Sequence, residues 1–277
     1  MLMLYVAIVI YNKKLSDVLS RYSAKRLLEK HGEKKTKIIV VDNSDKSYYT
    51  DDEELNAFVA THGIVYIKNG KNLGLSKAYN KAVEYALHDS TNPKFDFLML
   101  LDDDTDITYD YIREIYKEYK APSRVNDGVN VITGLIESGG NPMSPVRSFT
   151  FNYHKSNCIR KPGIYDDVYC ISSGMAVRLS AIEMVGGFEE ALFLDMIDYT
   201  FLYNLSRHDL NRMLVINARM EQSFSGRTKQ DRRLAMKRYK IYKKDFMKFC
   251  ELTGKNKWYG RLHLLKRKIA LEIKNRK

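Results

Sequence analysis

The sequence predicts an α/β fold: a mostly parallel twisted sheet flanked by helices, extended at the C-terminus by basic helices. Three observations carry that reading. Between Leu4 and Tyr119, short apolar runs alternate with helical patterns, the signature of a sheet covered on both faces. With 44% hydrophobic and 29% charged residues over 277 positions, the chain can fill a core, which excludes intrinsic disorder. The charge is also split. Gly226–Lys277 holds 19 basic against 4 acidic residues, a balance of +15, whereas the first 225 residues hold 27 against 30. The net +12 therefore belongs to a tail, and this shift is the clearest internal boundary.

The elements follow in order. Leu2–Tyr11 is apolar but has no basic segment before it and no small-residue cleavage site after it, so it reads as a buried strand rather than a signal peptide. Candidate strands are Leu4–Ile10, Lys37–Val41, Val65–Ile67, Phe95–Leu101, Val129–Ile136 and Met213–Ile216. Candidate helices are Ser16–Lys30, Asp52–Thr61, Ser76–Leu87 and Thr108–Tyr119. Thr108 suits an N-cap, and Ser180–Glu183 reads as a capping box opening a short helix that ends at Gly186-Gly187. No apolar run approaches the ~18 residues of a membrane span. Cys158, Cys170 and Cys250 are widely spaced, with neither disulfide nor zinc-ribbon patterning, which fits a reducing compartment.

In parallel sheets, ligands bind beyond the carboxyl ends of the strands. Three polar clusters fall there: Tyr11-Asn12, Asp42-Asn43-Ser44 and Asp102-Asp103-Asp104. No G-x-G-x-x-G and no P-loop is present, so the usual phosphate cradles are missing. Asp102, Asp103, Asp104 and Asp106 crowd four carboxylates into five positions. Two readings are open on the cluster alone. It is a site for a hard divalent cation, or it is a solvated turn capping the helix from Thr108.

Further landmarks are Ile39–Ser44, Asn72–Asn80, Ser172–Arg178, Val185–Glu190 and Phe193–Asp198. With Val6–Asn12 and Leu101–Asp104, these seven segments resemble, in order, the family 2 glycosyltransferases of the GT-A fold, in particular a bacterial rhamnosyltransferase-like branch. The likeness runs from about Val6 to Gly226. It implies a GT-A domain over 1–226, with a nucleotide-binding half over about 1–120 and an acceptor-binding half over about 121–226, followed by a basic amphipathic tail over 227–277.

The resemblance also implies roles. Tyr11 and Asp42 border the nucleotide base, and Asn72, Gly74 and Asn80 form the segment beside the nucleotide, with Lys77 reaching phosphate or ribose. Asp102, Asp103 and Asp104 match the D-x-D motif, the outer pair toward Mg²⁺ or Mn²⁺. Ser173 and Gly174 line the sugar or acceptor pocket. The chain departs from the family pattern at two places. Asp198 is followed six positions later by Asn204 where relatives carry Arg, and Gln222 stands where many relatives carry a metal-binding His. Asp195 and Asp198 lie three apart on one helical face, so each carboxylate raises the other's pKa. Asp198 is the expected base and Asp195 the second candidate.

The expected activity is therefore inverting transfer of a sugar from a UDP- or dTDP-sugar to a saccharide acceptor, lipid-linked, in cell-surface polysaccharide synthesis. In the tail, Ala235, Tyr239, Tyr242, Phe246 and Phe249 recur at helical spacing, as do Trp258, Leu262, Leu265, Ile269 and Ile273, with Gly254 and Gly260 near the breaks. Three readings fit: ordinary solvated helices, a basic amphipathic surface on anionic lipid at the inner face of the plasma membrane, or a nucleic-acid-binding arm. The last defines the rival function, a non-catalytic nucleic-acid-binding protein. It leaves the aspartates unexplained, and nucleic acid is not the expected partner.

Overall fold

The computed structural model describes residues 2–15, 18, 36–46, 53–61, 63–103, 105, 107–119, 121, 127–147, 157–222 and 231–275. Among the described residues nine strands form one sheet. β1 (Leu4–Ile10), β2 (Thr36–Asp42), β3 (Val65–Lys68) and β4 (Phe97–Asp102) run parallel in the order β3-β2-β1-β4. The sheet continues through β8 (Ala176–Arg178), β5 (Val131–Ser138), β9 (Arg212–Glu221) and β7 (Gly163–Asp166), with β6 (Asn141–Ser144) on β5. β8 is antiparallel to both β4 and β5, and β9 is parallel to β5. The predicted parallel core thus spans four strands, and the second half of the sheet is mixed.

Alternate residues of β1 enter opposite layers, as the two-residue period of a strand requires. Leu4, Val6, Ile8 and Ile10 join the layer holding Tyr111, Ile112 and Ile115 of α3 (Tyr109–Tyr119). Tyr5, Ala7 and Val9 join the layer holding Ala78, Tyr79 and Ala82 of α2 (Leu75–Asp89) and Phe201 and Leu205 of α5 (Ile197–Ser206). Thr108 caps α3 as expected, its hydroxyl accepting from the Tyr111 N–H at 3.2 Å. α1 (Glu53–Thr61) also forms, whereas the predicted helix Ser16–Lys30 lies, apart from Val18, outside the described residues.

The structure corrects two expectations about helix ends. α4 (Leu179–Met184) starts one residue before Ser180, with Arg178 as its N-cap and no side-chain cap. Neighbouring loop carbonyls take that role: the N–H groups of Leu179 and Ser180 donate to Asp96 and Pro93. Its C-terminus is as predicted, with Gly186 and Gly187 at φ 76° and 81° donating back to Glu183 and Ile182. In the tail, α6 (Arg232–Leu252) and α7 (Lys257–Lys274) are both present. Gly254 does lie between them, but Gly260 is inside α7. A Cβ there would meet Cys250 Sγ at 3.1 Å, so the glycine permits close approach of α7 to α6 rather than ending a helix.

Candidate active site

The pairing register aligns Ile10 with Asp42 and Val9 with Asp102, so β1, β2 and β4 end side by side. A cleft of about 610 Å³ opens beyond those ends, bordered by Tyr11, Asn43, Asn72, Gly74, Asp102 and Asp103 on one side. Asn43 ties this wall together. Its Nδ2 donates to Asn72 Oδ1 at 3.1 Å and to the Gly74 carbonyl at 3.3 Å, while its Oδ1 accepts from the Leu73 N–H at 2.9 Å. Gly74 has φ 89°, and a Cβ would come within 2.8 Å of the Phe193 ring and 2.9 Å of its carbonyl oxygen. Only glycine lets α2 begin against the 193–196 segment. Gly74→Ala should therefore cost on the order of 2 kcal/mol, read as a lower unfolding midpoint; an unchanged midpoint would refute that packing argument.

Asp102 is held from two sides. Its Oδ1 accepts from the Tyr79 hydroxyl at 3.0 Å and its Oδ2 from Gln222 Nε2 at 3.3 Å. Burial, reinforced by the Asp102 charge, pushes the Tyr79 phenol well up, so it stays a donor. Asp103 instead pairs with Lys13 at 2.7 Å and accepts from the Tyr11 N–H.

The opposite wall is built by Ile171, Ser172 and the segment Phe193–Tyr199. Met196 adopts φ 63°, a left-handed turn immediately before α5, and the next residues place Asp198 in the first turn of that helix. Burial pushes the Asp198 carboxyl up to about 7, the Tyr199 N–H at 2.8 Å opposes the rise, and the charge of Asp102 adds to it. Asp195 is differently placed: it precedes the left-handed Met196 and lies outside α5, so the two acids do not share a helical face as the sequence predicts. It forms a two-pronged ion pair with Arg238 of α6, at 2.5 and 2.7 Å, so its oxygens are already committed.

Sequence reasoning missed the contribution of α6. Asp245 is fully buried and accepts from three consecutive backbone N–H groups, those of Phe193 (3.0 Å), Leu194 (2.7 Å) and Asp195 (2.9 Å). Met196 and Tyr199 pack against the aromatic core of α6 and α7, and Arg238 and Ile241 border the cleft. A signal was available: Asp245 is a carboxylate next to Phe246, within the apolar stripe of a helix whose one other acid is Glu251 near its end.

The other predicted residues divide. Tyr11, Asn72, Gly74, Asp102, Asp103, Asp195, Asp198 and Gln222 all border the cleft. Asp42 lies beneath it, 1% exposed, accepting from the Tyr66 hydroxyl at 2.5 Å and the Ser44 N–H at 3.0 Å; Asn43 takes the bordering position. Asn80 exchanges hydrogen bonds with the Phe188 backbone, and Lys77 sits 3.9 Å from Glu190. Both brace the loop leading into the far wall and do not border the cleft. Ser173 is buried against Thr105, and Gly174, whose carbonyl accepts from Tyr111, lies behind Ser172, which borders the cleft in their place. Asp104 lies outside the described residues.

Gln222 is 6% exposed, and its Oε1 has no hydrogen-bond partner among the described residues. A buried, unpartnered oxygen next to the Asp102 carboxylate is a donor set that suits a hard divalent cation. Among the described residues no three His, Cys, Asp or Glu side chains converge, so Asp102 and Gln222 would need Asp104 or a bound diphosphate to complete such a site.

The family model for glycosyl transferase family 2 matches residues 5–183, or 179 of the 277 positions. The chain belongs to this family. Solved structures show the same GT-A-type fold for this chain. A mannosyltransferase from Pyrobaculum calidifontis, in complex with GDP-Man and Mn²⁺, superposes with a TM-score of 0.54 at 13% identity, over 88% of this chain and 63% of its own. GalNAc-T7 with UDP, GalNAc and Mn²⁺ gives 0.58 at 13% identity, over 91% and 47%. S. aureus TarS 1-349 in complex with UDP gives 0.53 at 15% identity, over 90% and 65%. The chain therefore spans less than two thirds of each of these proteins, and at such identities the likeness is one of fold. No curated protein matches its sequence significantly. α6, which closes the cleft, lies beyond the residues that the family model covers.

Proposed function

We propose that this transferase moves a sugar, with inversion, from a nucleoside-diphosphate donor to a saccharide acceptor, and that Asp198 is the base. The observation that carries this reading is Asp198 itself: a carboxyl raised to about 7, across the cleft from the strand ends and without an ion-pair partner among the described residues. A general base works best with a pKa near the working pH. Asp195, bound by Arg238, serves as an anchor for the segment that carries Asp198.

On the donor side, Tyr11 and Asn43 flank the base and ribose, and Asn72 and the backbone around Gly74 approach the nucleotide. Asp102 and Gln222, with Asp104, would hold Mg²⁺ or Mn²⁺, which when bound offsets the charge of the diphosphate leaving group. Tyr79 keeps the Asp102 carboxylate aimed into the cleft. Asp198 takes the proton of the attacking acceptor hydroxyl, and Ser172 and Tyr199 border the acceptor beside it. The two acids three apart support the rhamnosyltransferase-like branch and a UDP- or dTDP-sugar donor. The acceptor we favour is lipid-linked, on the route to a cell-surface polysaccharide at the cytoplasmic face of the plasma membrane. The transferase unit then extends past residue 226 through α6, which supplies a wall of the cleft and is not a detachable tail.

Calorimetry with UDP or dTDP in the presence of Mn²⁺ tests the donor assignment. Wild type is expected to bind, while Asp102→Ala and Asp104→Ala each lose the Mn²⁺-dependent part. A variant that binds like wild type refutes its metal role. A thermal-shift screen of nucleotide sugars then identifies the donor, because stabilisation grows with ligand concentration over Kd.

A further inference from the structure

The apolar stripe of α7 does not face the protein. Helical geometry sets Trp258, Leu262, Leu265, Ile269 and Ile273 within an arc of about 80°. Gly260, Leu264 and Leu271, which meet α6, lie on the opposite side. All five stripe residues are exposed, Trp258 at 67% and Ile273 at 64%. α7 thus carries two apolar faces, one spent on α6 and one turned outward. A second feature adjoins it. A groove of about 600 Å³ beside α6 and α7 is bordered by Lys244, Lys248, Lys257 and Arg261, together with Ala191, Met247 and Glu251. Glu251 accepts from Lys248 at 2.7 Å and lies 4.0 Å from Lys257, but Lys244 and Arg261 have no ion pair among the described residues.

We propose that this face docks on an anionic lipid bilayer, with phosphate-bearing headgroups in the basic groove and the α7 stripe entering the acyl boundary. The chemistry selects that partner. Lys and Arg flanking a stripe of Trp, Leu and Ile is the composition of a helix lying in a membrane interface. Among the described residues no helix is long and apolar enough to cross a membrane, so the contact is lateral. A second copy of the chain fits poorly, because pairing two α7 faces would set Arg261, Lys266 and Lys268 against their own kind. A nucleic acid would use the cations and leave Leu262, Leu265 and Ile269 in water. This inference rests on the charge and exposure of α6 and α7, and not on the transfer reaction.

Co-sedimentation of the full chain with vesicles tests it. The protein is expected to pellet with phosphatidylcholine vesicles doped with phosphatidylglycerol, to stay soluble with phosphatidylcholine alone, and to be released as salt shortens the Debye length. Lys244→Glu with Arg261→Glu should lower partition at least about tenfold, since each reversal turns an attraction into a repulsion. Leu265→Glu with Ile269→Glu should do the same through the stripe. Both pairs change exposed side chains, so the unfolding midpoint and nucleotide binding should hold, which separates failure of docking from failure of the catalytic reading. Equal pelleting with both vesicle types, or with neither, overturns the proposal. So does a stripe variant that pellets like wild type, a dimer in ultracentrifugation that the stripe variant dissolves, or a DNA duplex that displaces the protein from vesicles.

Discussion

Asp198→Asn is expected to lower kcat by about two to four orders of magnitude while leaving donor affinity near normal. The amide keeps an oxygen to accept from the Tyr199 N–H, so α5 should start as before, and the loss is that of the proton acceptor. In wild type, activity should rise with pH through about 7 as Asp198 ionises, and the residual activity of the variant should lose that limb. Stability should move the other way. The folded-state carboxyl is raised above its ordinary value, so its contribution to stability is full at acid pH and lost as pH rises through about 7. Asn cannot ionise, so with chelator present the variant should melt above wild type at alkaline pH, the gap narrowing toward acid. An inactive Asp195→Asn beside an active Asp198→Asn would exchange the two roles.

The second large effect is expected at Asp245. Among the described residues its carboxylate is the one acceptor for the N–H groups of Phe193, Leu194 and Asp195, and Asp245→Ala orphans all three. Unmet donors of this kind cost about 1–3 kcal/mol each, less where water reaches them, so a total on the order of 3 kcal/mol follows. For a chain of this size that lowers the melting midpoint by roughly 6–12 °C. Activity should fall further than stability explains, because the same segment leads through Met196 into Asp198. Asp245→Asn keeps one acceptor oxygen and should lie between. Thermal melts and acceptor kinetics check both, and an Asp245→Ala protein with wild-type midpoint and kcat would refute the assignment.

β1, β2 and β4 were legible because they are continuous apolar runs buried on both faces. β1 was read with its observed bounds, and β2 and β4 within two residues at each end. β6, β7 and β8 escaped notice because they are three or four residues long and two contain Pro or Gly, too little sequence for a period to register. β9 was read short, since beyond Ile216 it switches from a buried run to strict alternation, with Ala218 and Met220 inward and Arg219 and Glu221 outward. Within the cleft, motif order located Asp102, Asp198 and Gln222. Depth was invisible. Asp42, the last residue of β2, and Ser173, in the segment before β8, have the right identities, yet their neighbours Asn43 and Ser172 border the cleft. Asp195–Arg238 and Asp245 join positions more than forty residues apart, and no local pattern reports such a pairing.

The bond between α6 and the 193–198 segment bears on how this scaffold can be re-engineered. Exchanging residues 171–222 for those of a relative, as a route to new acceptor selectivity, would strand Arg238 and Asp245 opposite foreign backbone. The transplantable cassette for acceptor choice has to run on through residue 252, taking the acidic staple together with the loop that it secures.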